Sequence, residues 1–276
     1  MTPRQRDDLF ARDDAPEKFE FNESVARVFD NMLERSVPFY KECQQMVVAL
    51  ARTYAQPGTR VYDLGCSTGT LIREMARALP TASEVRFVGI DNSDAMLKKA
   101  RRKLKEFDGR CEVVAGDLNG PLELENASVV VMNYTLQFLP PARRQGLLKR
   151  IHQSLLPGGA LILIEKVKAE AAALAPVFVE RYYDYKREMG YSRMEISRKR
   201  EALEQVLVPL PPGENVTILR KAGFQDVDVF FKWFNFCGFV ALRGGEPGTD
   251  KVPGAQPAAG AQPVPGKKRT KPRKSR

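Results

Sequence analysis

Apolar runs alternate with amphipathic stretches along most of the chain, in the order that a parallel α/β sheet requires. Between successive runs, apolar residues recur at helical spacing, so each of the first four predicted strands leads into a connecting segment and the next strand. This order predicts an α/β fold with a doubly wound, mostly parallel sheet and a closing antiparallel pair. The predicted strands lie at residues 60–64, 84–90, 110–115, 128–133, 160–165, 224–231 and 234–242.

Two pairs of predicted helices lie outside this alternation. The first pair, at residues 23–36 and 40–54, precedes the first strand and is interrupted at Pro38. These helices can cover the ligand crevice as a lid, pack against the sheet, or do both. The second pair, at residues 169–189 and 192–208, forms a helical insert at about 169–208, ahead of the last two strands.

The two ends of the chain differ from its middle in composition. Residues 1–20 are polar and mixed in charge, which predicts a mobile arm before an α/β domain at residues 21–243. Residues 244–276 are rich in Pro, Gly, Ala and Gln and predict a disordered tail. That tail carries +6 of the net charge of +10, so most of the basicity does not belong to the fold.

Hydropathy and cysteine usage favour a cytoplasmic protein. No run approaches the roughly 18–20 apolar residues that a membrane span needs. The N-terminal residues lack the apolar core of a signal peptide. The cysteines are scattered without a CxxC pair, which predicts reduced thiols and no metal site. They are Cys43, Cys66, Cys111 and Cys237.

The candidate chemistry begins at residues 61–70, where a strand passes through a glycine turn into a helix. Gly65 lets the backbone turn without a Cβ, so ligand atoms can approach the main chain. Amide N–H groups at the start of the next helix favour a negatively charged group. Asp91 follows Gly65 by 26 residues, near the interval at which an acidic residue reaches ribose hydroxyls in such folds.

Acidic or amide residues stand at the carboxyl ends of four successive predicted strands, where an open α/β sheet binds its ligand. Any one of them could be a turn residue or a helix cap, but together with Gly65 they favour an adenosyl ligand. Asp91 can accept from both ribose hydroxyls, Asp117 from the adenine amine, and Asp63 can orient the amino-acid end. The strand-end residues are Asp63, Asp91, Asn92, Asp117 and Asn133.

Residues 60–165 resemble a class I S-adenosylmethionine (SAM) methyltransferase domain with a Rossmann-like sheet. Over residues 19–243 the chain is similar to the carboxy-SAM synthase family, and the similarity includes the helical insert, which ordinary methyltransferases do not share. The matching motifs are FNESVA at 21–26, RSVPFY at 35–40, VYDLGCS at 61–67, IDNS at 90–93, NAS at 126–128, YTLQFL at 134–139, EISRKR at 195–200 and AGF at 222–224.

The resemblance implies conversion of SAM and prephenate to carboxy-SAM and phenylpyruvate. A SAM methyl group beside the sulfonium loses a proton to give an ylide, which the carbon dioxide released from prephenate traps. The product supplies the carboxymethyl group for 5-oxyacetyl modification of the tRNA wobble uridine through a tRNA carboxymethyltransferase. The family also implies a homodimer formed through the insert.

By resemblance, ten residues line the site, and none is an obvious general base, so the base can come from prephenate breakdown. These residues are Tyr40, Gly65, Cys66, Ser67, Asp91, Asn92, Asp117, Leu118, Asn133 and Arg200.

Arg200 is the residue that distinguishes a synthase from a methyltransferase. A carboxymethyl sulfonium carries a carboxylate, and the planar guanidinium of arginine suits a carboxylate. Spacing alone would place Arg200 in a solvated run with Arg193, Arg198 and Lys199, but the matching residues around it favour the site. The other three cations are assigned to the surface.

Two features depart from the family pattern. Gly69 adds a second turn glycine, which is closer to general methyltransferases, and the tail is an extension that the family does not require. The tail could attract tRNA non-specifically or only keep the protein in solution. A conventional SAM-dependent methyltransferase and a non-catalytic protein that binds SAM or carboxy-SAM remain alternatives.

Overall fold

The computed structural model describes residues 6–12, 14–204 and 206–245, so the predicted tail lies outside the described residues from residue 246 onwards. The elements are α1 (Glu23–Ser36), α2 (Tyr40–Tyr54), β1 (Arg60–Leu64), α3 (Thr70–Ala78), β2 (Arg86–Asp91), α4 (Asp94–Leu104), β3 (Cys111–Ala115), β4 (Ala127–Asn133), α5 (Pro141–Ser154), β5 (Leu155–Lys166), α6 (Ala175–Glu188), α7 (Arg193–Ala202), α8 (Pro212–Ala222), β6 (Asp226–Trp233) and β7 (Phe236–Leu242).

One seven-stranded sheet has the order β3-β2-β1-β4-β5-β7-β6. Strands β1 to β5 pair in parallel, whereas β7 is antiparallel to both β5 and β6. From β1 the chain runs outward to β3 and then returns to place β4 beside β1. The predicted doubly wound, mostly parallel sheet is therefore confirmed, and the reversal between β1 and β4 places a crevice at the carboxyl ends of these strands.

The middle of the sheet is buried on both faces, as the continuous apolar runs predict. In β4, Val130 and Met132 pack with the α5 side of the core, while Val129 and Val131 pack with the α2 and α3 side. This alternation follows the two-residue period of a strand. Because both faces are filled, the strand ends that form the crevice are held in fixed positions.

Helices α1 and α2 have the predicted bounds. Asn22 begins α1, since its side-chain oxygen accepts a hydrogen bond from the Val25 amide at 3.1 Å. The buried face of α1 includes Phe29 and Met32, while α2 packs Val47 against the sheet. Phe29, Met32 and the first residue of α2 also line the crevice, so these helices both pack and cover it.

The prediction of a mobile arm at residues 1–20 is wrong for its described part. The Phe10 side chain is only 2% exposed and packs in one apolar cluster with Leu9 and Phe19, together with residues of α1. The Phe19 amide donates to the Ala202 carbonyl at 3.0 Å, which fastens the segment to the end of α7. The segment is polar on average, so its sequence offers little sign that its few large apolar side chains are buried.

The helical insert is confirmed, but its helices are shorter than predicted. A capping box between Ser192 and Glu195 begins α7, which ends at Ala202 rather than near residue 208. Beyond this point the Val208 amide donates to the Gln137 carbonyl at 2.9 Å. This bond holds the chain against the loop after β4, and a continuing helix could not make it.

Candidate active site

A cavity of about 850 Å³ lies at the carboxyl ends of the parallel strands. The sheet forms one wall, α1 and α2 a second, and the insert a third. The structure brings all eleven residues singled out from the sequence to this cavity. They are Tyr40, Asp63, Gly65, Cys66, Ser67, Asp91, Asn92, Asp117, Leu118, Asn133 and Arg200.

The glycine turn after β1 accepts only glycine at its first position. Gly65 has a φ of 79°, and a Cβ there would lie 2.5 Å from side-chain atoms of Thr135 in the loop after β4. The amides of Gly65 and Cys66 both donate to the Ile90 carbonyl, at 2.7 and 3.1 Å. The turn is therefore fixed against β2 on one side and the β4 loop on the other.

Asp91 ties this turn to the start of α4. Its Oδ2 accepts from the Ser67 amide and its Oδ1 from the Ser93 amide, each at 2.9 Å. Burial raises the pKa of Asp91, while these amide contacts act in the opposite direction. Each carboxylate oxygen accepts about two hydrogen bonds, so both retain capacity for ligand hydroxyls.

Several residues that line the cavity have a buried oxygen atom without a hydrogen-bond partner among the described residues, and two of these atoms, Asp63 Oδ1 and Asn133 Oδ1, stand at strand ends. Burial and then the charge of Asp91 raise the pKa of Asp63 to about 7. A buried acceptor without a donor costs about 1–3 kcal/mol. These atoms therefore fit a ligand that brings a cationic donor, such as the ammonium group of an amino acid.

Cys66 is not equipped to be a nucleophile. Burial, followed by the negative charges of Asp63 and Asp91, raises the pKa of its thiol. A neutral thiol is a weak nucleophile because the thiolate is the reactive form. Cys66 therefore forms part of the cavity wall without acting as a nucleophile.

The second turn glycine has a structural role. Gly69 has a φ of 72° and precedes α3, and the neighbouring Thr68 and Thr70 hydroxyls donate to Asp30 Oδ1 at 2.6 and 3.1 Å. Asp30 Oδ2 also pairs with Lys103 Nζ at 2.9 Å. These contacts join α1 to the glycine turn and to α4, so Thr68 and Thr70 serve to anchor a covering helix.

The assignment of Lys199 to the surface is wrong. Its side chain is only 7% exposed, and its Nζ lies 3.6 Å from Asp7 Oδ2. Lys199 shares the buried face of α7 with Ile196 and Ala202. That i, i+3 spacing was visible in the sequence, but the run of charges around it concealed the periodicity.

Arg200 lies at the exposed edge of the cavity. Its side chain is 62% exposed, and its guanidinium is 3.7 Å from Glu201 Oε1. Such an exposed pair adds little stability and leaves the guanidinium free to reorient. Arg200 therefore contributes an exposed guanidinium to the cavity lining.

Sequence reasoning missed two further lysines that line the cavity. Lys166 ends β5, so the rule that found the other strand-end residues would have found it had cations been considered. Lys186 lies one turn after Tyr182 on the buried face of α6 and is only 5% exposed. The helical spacing that places Lys186 on the same face as Tyr182 is the signal in the sequence that could have identified it.

Comparison with known proteins agrees with the motifs. A family model described as "Methyltransferase domain" matches residues 61–159. A carboxy-S-adenosyl-L-methionine synthase from Methylococcus capsulatus is 46% identical over 86% of this chain and 99% of its own length. One from Wolinella succinogenes is 44% identical over 87% of this chain and 99% of its own length.

The chain belongs to the carboxy-S-adenosyl-L-methionine synthase family. The family recognised from the sequence motifs is therefore confirmed.

Solved structures support the fold of this synthase family member. The SAM-dependent methyltransferase SibL matches with a TM-score of 0.57 and 16% identity, over 86% of this chain and 61% of SibL. At that identity the likeness concerns the fold alone, and it confirms the class I methyltransferase architecture. Among the described residues of this chain, no helix has the length and apolarity to cross a membrane. The same residues contain no group of three or more His, Cys, Asp or Glu side chains that could hold a metal ion.

Replacing Asp63 by asparagine should stabilise the ligand-free protein increasingly as the pH rises from about 4 to 7. The folded-state pKa of Asp63 is raised from 3.8 to about 7, so the native state binds more protons than the unfolded chain across this range. The wild type therefore loses stability as the pH rises, and the loss is constant above the folded pKa. The Asp63→Asn advantage should reach a few kcal/mol, on the order set by the shift in pKa.

Urea unfolding of both proteins at several pH values measures this difference. Asp226→Asn provides a matched control, since it makes the same chemical change at an exposed position. A stability difference between Asp63→Asn and wild type that is independent of pH would contradict a raised pKa.

Proposed function

We propose that this protein makes carboxy-SAM from SAM and prephenate and releases phenylpyruvate. The observation that carries the proposal is the division of charge within one cavity. Acidic and amide side chains from the strand ends suit the adenosyl and amino-acid parts of SAM. Cationic side chains from β5 and the insert, including Arg200, suit carboxylates. The relatives named as carboxy-SAM synthases support the same assignment.

SAM is placed along the strand ends from β3 to β4. The ribose hydroxyls donate to Asp91, and the adenine amine donates to Asp117, whose Oδ1 is oriented by the Asn119 amide at 2.9 Å. The ammonium group meets Asp63 and Asn133, whose buried oxygens lack protein donors in the described chain. These contacts point the sulfonium toward the cations on the other side of the cavity.

The reaction balances without a base from the protein. Loss of carbon dioxide and hydroxide from prephenate gives phenylpyruvate, and the hydroxide removes a proton from the SAM methyl group to form water. The resulting ylide carbon attacks the carbon dioxide, and a new C–C bond forms the carboxylate of carboxy-SAM. Binding both substrates in one cavity keeps carbon dioxide beside the ylide, and Arg200 pairs with the carboxylate that forms.

The product is proposed to serve a carboxymethyltransferase that modifies the tRNA wobble uridine, and a cytoplasmic location is part of the same proposal. Residues 244–276 carry +6 and can attract tRNA through its phosphates. The homodimer is proposed to form through the insert, which exposes several large apolar side chains that a partner can cover. These are Leu174, Val177, Val179, Met189 and Met194.

Wild-type protein incubated with SAM and prephenate should yield carboxy-SAM and phenylpyruvate in equal amounts, measured by mass spectrometry. Arg200→Met should lower kcat/KM about 10- to 100-fold, because a hydrogen bond to a charged group contributes about 1.5–3 kcal/mol. Arg193→Met, which removes an exposed arginine from the start of the same helix, should retain wild-type activity.

The synthase proposal fails if the wild type forms neither product. Methyl transfer from SAM to an added acceptor, with no carboxy-SAM formed, would instead support the conventional methyltransferase. Release of SAM or carboxy-SAM from a protein that turns over neither would support the binding protein.

Val177→Glu should convert the dimer to a monomer, because a carboxylate would be buried in the interface. Val177 is 50% exposed in the single chain. Light scattering with size-exclusion chromatography measures the mass. Val114→Glu is the control, since Val114 is also exposed at 37% but lies on the edge strand β3. Wild-type protein that is monomeric at micromolar concentration would contradict the dimer.

Truncation after Arg243 should weaken retention of tRNA while carboxy-SAM synthesis continues. The tail's charge predicts that wild-type retention falls as salt concentration rises, with a smaller dependence after truncation. Filter binding at two salt concentrations measures both. Equal retention with and without the tail would show that the tail does not contact tRNA.

A further inference from the structure

Three lysines from separate elements line the candidate active site: Lys166 at the end of β5, Lys186 in α6 and Lys199 in α7. The Nζ atoms of Lys186 and Lys166 lie 4.4 and 5.1 Å from the centre of the Tyr182 ring. The two ammonium groups therefore lie within about 10 Å of one another, at the same aromatic side chain. Both residues line the same cavity.

The three lysines differ in their partners. Lys199 pairs with Asp7, whose Oδ2 is 3.6 Å from its Nζ and also accepts from the Tyr191 hydroxyl at 2.5 Å. Across residues 6–12, 14–204 and 206–245, no carboxylate or hydrogen-bond acceptor pairs with the ammonium of Lys166 or Lys186. Two of the three ammonium groups in the cluster therefore lack an ion pair within the described residues.

Burying an unpaired ammonium is unfavourable, and Lys186 is buried while Lys166 is partly buried. Burial lowers the pKa of Lys166, and burial together with the nearby charges of Lys199 and Lys166 lowers the pKa of Lys186 well below its usual value. A bound anion would remove this penalty. The arrangement therefore fits a ligand that brings a carboxylate to this part of the cavity.

The surroundings of the lysines also fit a ring. Tyr182 is fixed by its hydroxyl, which donates to the Ser36 carbonyl at 2.8 Å, and by its edge-to-face contact with Phe236. Val37 and Tyr40 belong to the same apolar cluster. All of these residues line the cavity. An apolar wall beside two cations suits a ligand with a ring and a carboxylate, which is the chemical class of the second substrate proposed above.

We propose that Lys166 and Lys186 bind the second substrate through the carboxylate that stays on its keto-acid product, while Lys199 and Asp7 hold this pocket in shape. The inference rests on the proposed function and adds the substrate-binding residues. A carboxylate that leaves as carbon dioxide loses its charge in the transition state, so a strong ion pair to it would slow the reaction. The retained carboxylate keeps its charge throughout and can be held by both lysines.

Lys166→Met and Lys186→Met test the proposal, because methionine retains an unbranched apolar side chain and removes the charge. Each should raise the KM for prephenate about 10- to 100-fold, the equivalent of losing one hydrogen bond to a charged group. The inhibition constant of phenylpyruvate should rise by a similar factor, since it carries the retained carboxylate. The dissociation constant of SAM should change by less than about twofold, because substitutions at independent sites affect one another's free energies by only a few tenths of a kcal/mol.

Lys168→Met is the matched control, because Lys168 lies two residues from Lys166 and is exposed. Its kinetic constants should equal those of the wild type. Lys186→Arg should recover part of the loss, since it restores a positive charge. The melting temperature of Lys186→Met should not fall, because the substitution removes an unpaired buried charge.

The outcomes separate this inference from the proposed function. If the wild type makes carboxy-SAM while both methionine variants keep the wild-type KM for prephenate and inhibition by phenylpyruvate, the lysine pocket is wrong. Loss of SAM binding together with a lower melting temperature would assign the lysines a structural role and also overturn it. If the wild type makes no carboxy-SAM, the proposed function itself fails.

Discussion

The loops after β1 and β4 approach so closely at Gly65 that no other residue fits, and the cavity depends on this approach. A Cβ at Gly65 would lie 2.5 Å from Thr135. The β4 loop cannot retreat, because the Tyr134 amide donates to the Ile164 carbonyl at 2.7 Å and the Leu136 amide to Glu165 Oε1 at 3.1 Å. These bonds fix Asn133 opposite the glycine turn, so the acceptors at the two strand ends share one wall.

The charges around the cavity come from the strand ends and from the insert that faces them. The strand ends contribute acceptors such as Asp63, and buried acceptors without donors favour a cationic ligand. The insert contributes ammonium groups such as Lys186, which favour an anionic one. A sulfonium amino acid and a carboxylate substrate would each meet the opposite charge. Under the proposed function, each wall would select one substrate and the two substrates would lie face to face.

Much of this arrangement could be predicted from the sequence, because it follows from local patterns. Alternating strands and helices predict the sheet, and the rule that ligands bind at strand ends leads directly to Asp91 and Asn133. Lys166 obeys the same rule, but an adenosyl ligand requires acceptors at the strand ends, and a lysine side chain offers none. Assigning Lys199 to the cavity requires knowing which face of α7 is buried. Charged residues surround Lys199 in the sequence, so the hydropathy of α7 does not distinguish its faces. The pairing of Asp7 with Lys199 joins residues at opposite ends of the chain, and no local pattern predicts it.

That long-range pair makes the N-terminal segment part of the site. Asp7 accepts from Tyr191, lies beside Lys199, and its carbonyl accepts from Arg35 at 2.8 Å. Without this carboxylate, Lys199 would be a buried cation without an ion pair beside the two lysines near Tyr182, and burying it would cost more. Burial of Phe10 and Phe19 holds the segment in place. A glycine turn of this kind is suited to an adenosyl ligand in many proteins of this fold. The cations that would select a carboxylate substrate depend on the insert, and on the N-terminal segment whose Asp7 pairs with Lys199.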